Sequence, residues 1–217
     1  TEIKIGNTMA YSGPVSSVGV EGRVMAAYFA MINDQGGIHG RKIKFLSYDD
    51  GFAPPKTVEA ARRLVEQDQV AVMFATMGTA PSSAIRQYLN VKKVPQLFVV
   101  STAAKWNDPK AYPWSMPFPW APHYAAEAAA QVRYALKAHP GARFAVLYQN
   151  DDAGKEYLAG TRAALGDAAD KSIVAVQSFE VTDPTVDSQI VSLADSKADV
   201  FLNYSVTPRA CSQAIRK

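Results

Sequence analysis

At 217 residues and 48% hydrophobic content, the chain carries enough apolar surface for one large core or two modest ones, which argues against a disordered protein. Its 23 Lys and Arg against 20 Asp and Glu leave a formal charge of +3 with no dense basic run, which argues against nucleic acid or anionic membrane as the main partner. No apolar run nears the ~20 residues of a membrane span. Cys211 is the single cysteine, so neither an intramolecular disulfide nor a cysteine-based metal cluster can form. TEIKIGNTM begins directly in strand-like alternation, with no charged and apolar leader before it. For an exported protein, the expectation is a signal already removed.

In chain order, Ile3 and Ile5 alternate with polar neighbours, as do Ile43 and Phe45, and apolar runs follow at 70–75, 97–100, 144–148, 173–179 and 200–204. These predict strands. Between them lie helical faces: Val24, Tyr28 and Ile32 with Met25 and Phe29; Val58, Ala61 and Val65; Ile85, Tyr88 and Leu89. Later come Ala129, Val132 and Leu136; Leu158, Thr161 and Leu165; and Val186, Ile190 and Leu193. Gly36-Gly37 closes the first helix, and His39 to Lys42 turns the chain into the next strand. Strand and helix alternating at this spacing, with strands apolar on both faces, predict an α/β protein of parallel sheets covered by helices on either side.

The rhythm breaks once. Residues 109–122 hold five of the 13 prolines, with Trp114, Phe118 and Trp120 between them. Such a segment cannot be helix and is a poor central strand. It reads as an extended crossover between two lobes, residues 1–120 and 121–217.

Few residues offer catalysis. His39, His123 and His139 fall in a turn, at a helix start and at a helix end, where solvent exposure is expected, and none pairs with a nucleophile. Asp49-Asp50 and Asp151-Asp152 follow strands, and helix capping or turn formation is favoured over metal binding. There is no GxGxxG and no GxxxxGK[ST]; Gly154-Lys155 is only a fragment of a phosphate loop. Cys211 reads as a small buried hydrophobe. No metal or cofactor is expected.

Two loops say more. Met77-Gly78-Thr79-Ala80-Pro81-Ser82-Ser83 follows one apolar strand and precedes a helix, and Ser101-Thr102-Ala103-Ala104 follows the next. Small residues admit a ligand close to the backbone, hydroxyls and N–H groups donate hydrogen bonds, and a helix N-terminus adds partial positive charge. This is equipment for a carboxylate, placed at the carboxyl ends of strands where open α/β sheets bind ligands. Ordinary Ser and Thr capping is the competing reading.

IKIGNTMAYSGPVSSVG, AAYFAMINDQGGIHGRKIKFLSYDDGFAPPKTVEAARRLV, VPQLFVVSTAAKW and AVLYQNDDAGKEYLAG, in that order, make the chain resemble the branched-chain amino-acid-binding (leucine/isoleucine/valine-binding) family of periplasmic solute-binding proteins. The resemblance implies a type I bilobed fold that binds a solute in the cleft between lobes, closes about a hinge and performs no chemistry. It implies a periplasmic location and partnership with ABC permease and ATPase subunits. Position by position, it gives Gly78 and Thr79 to the first carboxylate loop and Thr102, Ala103 and Ala104 to the second. The family's hydroxyl that helps hold an ammonium is absent at Ala104. Its cleft aromatics are absent at Val18, Ala153 and Val206, and its loop disulfide at about Phe52 and Met77. These departures point to a larger carboxylic acid lacking an amino group, with Phe118, Trp120 and Tyr148 as further contacts. Branched-chain amino acids stay the alternative. Family members continue well past FLNYS, so an unfinished second lobe is expected. A ligand-sensing receptor domain shares the fold and is the first rival; an α/β enzyme, the second, lacks a nucleophile and base.

Overall fold

In a computed structural model, residues 2–118 and 121–216 are described, and the chain divides into two compact units, Thr1–Ala121 and Pro122–Lys217. The first contains β1 (Glu2–Met9), α1 (Gly19–Asp34), β2 (Lys42–Asp49), α2 (Pro54–Arg62), β3 (Val72–Phe74), α3 (Thr79–Lys92), β4 (Gln96–Val99) and β5 (Ser115–Pro117). The second contains α4 (Tyr124–Ala138), β6 (Phe144–Gln149), α5 (Asp152–Leu165), α6 (Ala169–Ser172), β7 (Ile173–Phe179), α7 (Asp187–Asp195), β8 (Val200–Tyr204) and α8 (Pro208–Arg216).

Both sheets are parallel, as the doubly apolar strands require. The first runs β2-β1-β3-β4-β5 and the second β7-β6-β8. Under α2 and α3, Ala61, Leu64, Val70, Met73, Ile85 and Leu89 form one core. The second sheet is covered on both faces. Phe144, Val146, Leu202 and Tyr204 pack toward α4 and α5, while Ala145 and Leu147 pack with Ile190 and Leu193 of α7 and Ala210 and Ala214 of α8. Strand alternation explains the division, because successive β6 side chains take opposite faces. Between α4 and α5, Tyr157 donates to Glu127 at 2.6 Å and stacks on Tyr204 at 4.6 Å. Burial, and then the Glu127 carboxylate, push the Tyr157 phenol well above its ordinary pKa.

Three expectations change. The proline-rich segment is not crossover alone: Ser115–Pro117 adds a fifth parallel strand, at the edge of the sheet, where a missing N–H is tolerated. The apolar residues of α1 divide between two faces. Phe29 meets Phe45 and Phe74 with ring centroids 5.2 and 5.8 Å apart, but Val24 and Tyr28 stand 62% and 56% exposed, in line with exposed Val20 and Met31. Cys211, on α8, is partly exposed rather than buried.

The aspartate pairs serve turns and caps. Asp49 Oδ1 accepts from the backbone N–H groups of Tyr11, Ser12 and Gly51 at 2.9, 3.0 and 3.0 Å. Burial works to raise its pKa, yet the hydrogen bonds from Ser12, Gly51 and Tyr11 prevail and hold it below the ordinary carboxylate value. Asp151 caps α5 by accepting from Gly154 N–H at 3.0 Å. His39, His123 and His139 are exposed. Among the described residues no cluster of His, Cys, Asp and Glu could hold a metal, and no helix is long and apolar enough to cross a membrane.

Candidate functional site

Beyond the ends of β3 and β4 the backbone keeps pairing. Val100 N–H donates to the Thr76 carbonyl at 3.0 Å, Gly78 N–H to Val100 at 3.2 Å, and Met77 N–H to Thr8 at 3.2 Å. The two small-residue loops are thereby fixed side by side. Beneath them, Thr76, Ser82 and Gln96 are fully buried and satisfy one another: Ser82 Oγ lies 2.9 Å and Gln96 Nε2 3.2 Å from Thr76 Oγ1. A buried polar network with its partners met stiffens the loops it supports.

Above this network, Thr79 and Ser101, 3% and 4% exposed, meet across the loops with Oγ1 and Oγ 2.7 Å apart. Thr79 is also the first residue of α3. Gly78 provides no side-chain cap, Pro81 has no N–H, and the first turn holds no acidic residue. The first-turn N–H groups of Thr79 and Ala80 therefore face the helix N-terminus, where partial positive charge favours an anion. The α5 N-terminus differs, since the Asp151 carboxylate already occupies it.

Gly78 itself lends shape rather than a donor, because its N–H is engaged by Val100. The Phe52 ring lies against it: a Cβ at position 78 would fall 2.3 Å from Phe52 Cε2. Phe52, 6% exposed, is held in turn by its N–H to Asp50 Oδ1 at 2.9 Å. Where the family that the chain resembles has a loop disulfide, aromatic packing seats this loop.

The other predicted residues scatter. Met77 and Thr102 are half-buried in the two loops, Ala103 is buried and precedes a 3-10 turn at Ala104–Trp106, and Ala104 is exposed. Val18 ends a 3-10 turn before α1. Phe118 lines an apolar groove of about 500 Å³ with Val20 and Val24 of α1 and with Phe74 and Phe98. Trp120 lies outside the described residues. In the second unit, Tyr148 is half-buried, follows Phe144 and Val146 onto the α4/α5 face and packs against that core. Ala153 is buried in the first turn of α5, and Val206 is exposed just after β8. Nearby, Gln149 ties the strand ends by donating to Asp151 at 2.6 Å and accepting from Thr207 at 2.9 Å.

One residue escaped the sequence reading. Trp106, 1% exposed, donates its indole N–H to Ser101 Oγ at 2.8 Å. A tryptophan five residues beyond a serine in a polar loop was the available signal.

A leucine/isoleucine/valine-binding protein homologue of Brucella suis biovar 1 (strain 1330) is 25% identical over 210 residues, covering 94% of this chain and 52% of its own length. The chain thus spans about half the length of that relative. Among solved structures, a possible leucine/isoleucine/valine-binding protein from Rhodopirellula baltica SH 1 superposes with a TM-score of 0.86 at 20% identity, over 100% of this chain and 58% of that one. A solute-binding protein of an ABC transporter from R. palustris, in complex with benzoate, gives 0.77 at 21% identity, over 94% and 56%. These two likenesses concern the fold. The profile of the periplasmic binding protein family matches residues 2–216, and with parallel-sheet units and paired loops at the strand ends, the chain belongs to that family.

Proposed function

We propose that the chain is part of the extracytoplasmic solute-binding component of an ABC uptake transporter. Its first unit holds the carboxylate of a small hydrophobic or aromatic carboxylic acid at the loops that follow β3 and β4. Permease and ATPase subunits are the partners this role requires. The observation that carries the reading is the Thr79–Ser101 pair, 2.7 Å apart across two braced loops beside an α3 N-terminus with no acid of its own. Hydroxyls and N–H groups converging on an anion from a rigid frame give charge-assisted hydrogen bonds.

The absence of an amino group in the preferred ligand follows from Ala104. A methyl group stands where the resemblance implies a hydroxyl for an ammonium, and a buried ammonium without partners costs several kcal/mol. Benzoate in the R. palustris protein is a ligand of the proposed kind. The name of the Brucella relative favours a second reading, a branched-chain amino acid at the same loops.

Thr79→Val preserves shape and removes the hydroxyl. It is expected to weaken benzoate binding by about 1.5–3 kcal/mol, roughly 10- to 150-fold in Kd by calorimetry. Unchanged affinity takes the carboxylate away from this site.

A further inference from the structure

Arg86 sits seven residues beyond Thr79 on α3, two turns along the same helix face, and is 5% exposed. None of the ion pairs among the described residues involves it. Its guanidinium instead donates through Nη1 to the Lys105 carbonyl at 2.8 Å, through Nη2 to the Trp106 carbonyl at 3.5 Å, and through Nε to Ser115 Oγ at 3.4 Å. The rings of Tyr112 and Trp106 flank it, with centroids 3.8 and 4.9 Å from Cζ. Lys105 and Trp106 belong to a 3-10 turn of three residues, whose last carbonyls have no partner within the turn. The planar fork of arginine suits two such carbonyls, where lysine offers only a point charge.

That turn carries the indole that reaches Ser101. Ser101 Oγ accepts from Trp106 Nε1 at 2.8 Å and from Ala103 N–H at 3.4 Å, and it meets Thr79 Oγ1 at 2.7 Å. A closed circuit results: α3 supplies Thr79 at its mouth and Arg86 two turns on, and the loop between β4 and β5 returns from one to the other. Burying an arginine is costly when the nearby Asp108 carboxylate acts on it only through space, with no direct ion pair, and an apolar side chain would fill the same space more cheaply. The fork is what an apolar replacement lacks.

We infer that Arg86 and Trp106 are positioning residues for the carboxylate site, with the guanidinium fixing the Ala104–Trp106 turn and the indole holding Ser101 against Thr79. The inference rests on the reading that Thr79 and Ser101 hold a carboxylate. Neither Arg86 nor Trp106 is assigned to touch the ligand.

Arg86→Met and Trp106→Phe test it in the whole protein, by hydrogen exchange and by calorimetry with benzoate and its neutral analogue benzamide. Arg86→Met should speed exchange of the Trp106 indole N–H and the 101–106 amides at least roughly tenfold, while β1 amides keep their protection. Both variants should lose about fivefold or more in preference for benzoate over benzamide, because a displaced hydroxyl pair costs the anion most. Trp106→Phe keeps the ring, so it decides the matter if Arg86→Met does not fold. Unchanged exchange across 101–106 overturns the inference. So does faster exchange with an unaltered benzoate preference, which would make Arg86 merely structural. Wild-type protein that binds no carboxylic acid removes the proposed function and the site role with it, while the exchange data still show whether Arg86 holds the Ser101–Thr79 contact.

Discussion

Gly78→Ala is expected to lower stability by about 4 kcal/mol and to abolish ligand binding at the loops. Two independent costs add. At φ 89° and ψ 149°, Gly78 occupies backbone space that residues with a Cβ almost never enter, a strain of about 1–3 kcal/mol. The new methyl would also fall 2.3 and 2.7 Å from Phe52 Cε2 and Cζ, and overpacking of this kind costs about 1–3 kcal/mol. The ring cannot swing aside easily, because Phe52 is itself 6% exposed and tethered through Asp50. Adding Phe52→Ala should relieve the overlap but not the backbone strain. The double variant should therefore lose less than the two single losses combined. Urea unfolding measures all three; a Gly78→Ala loss under about 1 kcal/mol would mean the loop relaxes freely.

Gly160→Ala should cost the second unit about 3 kcal/mol. On α5, the added methyl would meet the Ala125 Cα at 2.4 Å and its carbonyl oxygen at 2.5 Å. Both are backbone atoms of α4, so no rotamer change removes the clash. The helices must separate, which opens the packing of Ala128, Val132 and Leu165 that they share with the sheet. The expected signature is an earlier urea transition for the Pro122–Lys217 unit, with hydrogen exchange in β1 and α3 unaltered. A wild-type transition would show that α4 and α5 have slack at their crossing.

The strands were legible where apolar runs are long. Residues 144–148 and 200–204 lie within β6 and β8 because a parallel strand covered on both faces leaves little room for polar residues. Helix α1 was legible as a helix but not in its facing. Val24 and Tyr28 share the 3.6-residue period with the inward Phe29, and periodicity cannot say which of two adjacent apolar stripes meets the sheet. β5 was hidden because its prolines speak against a central strand and are silent about an edge. In the site, Thr79 and Ser101 were legible as small polar residues just past apolar strands. The two-residue alternation of β6 aligns Tyr148 with Phe144 and Val146 and was legible in the run 144–148. The Arg86–Trp106–Ser101 circuit was out of reach, since it depends on a short turn bringing residues 86, 101 and 106 together.

The most direct measurement is a calorimetric titration of the protein with benzoate and medium-chain fatty acids on one side and leucine, isoleucine and valine on the other. Binding of the amino-free acids, lost on Thr79→Val, with weak or no binding of the amino acids, is the predicted result. Tight binding of leucine, isoleucine or valine, with none of benzoate or the fatty acids, would contradict it.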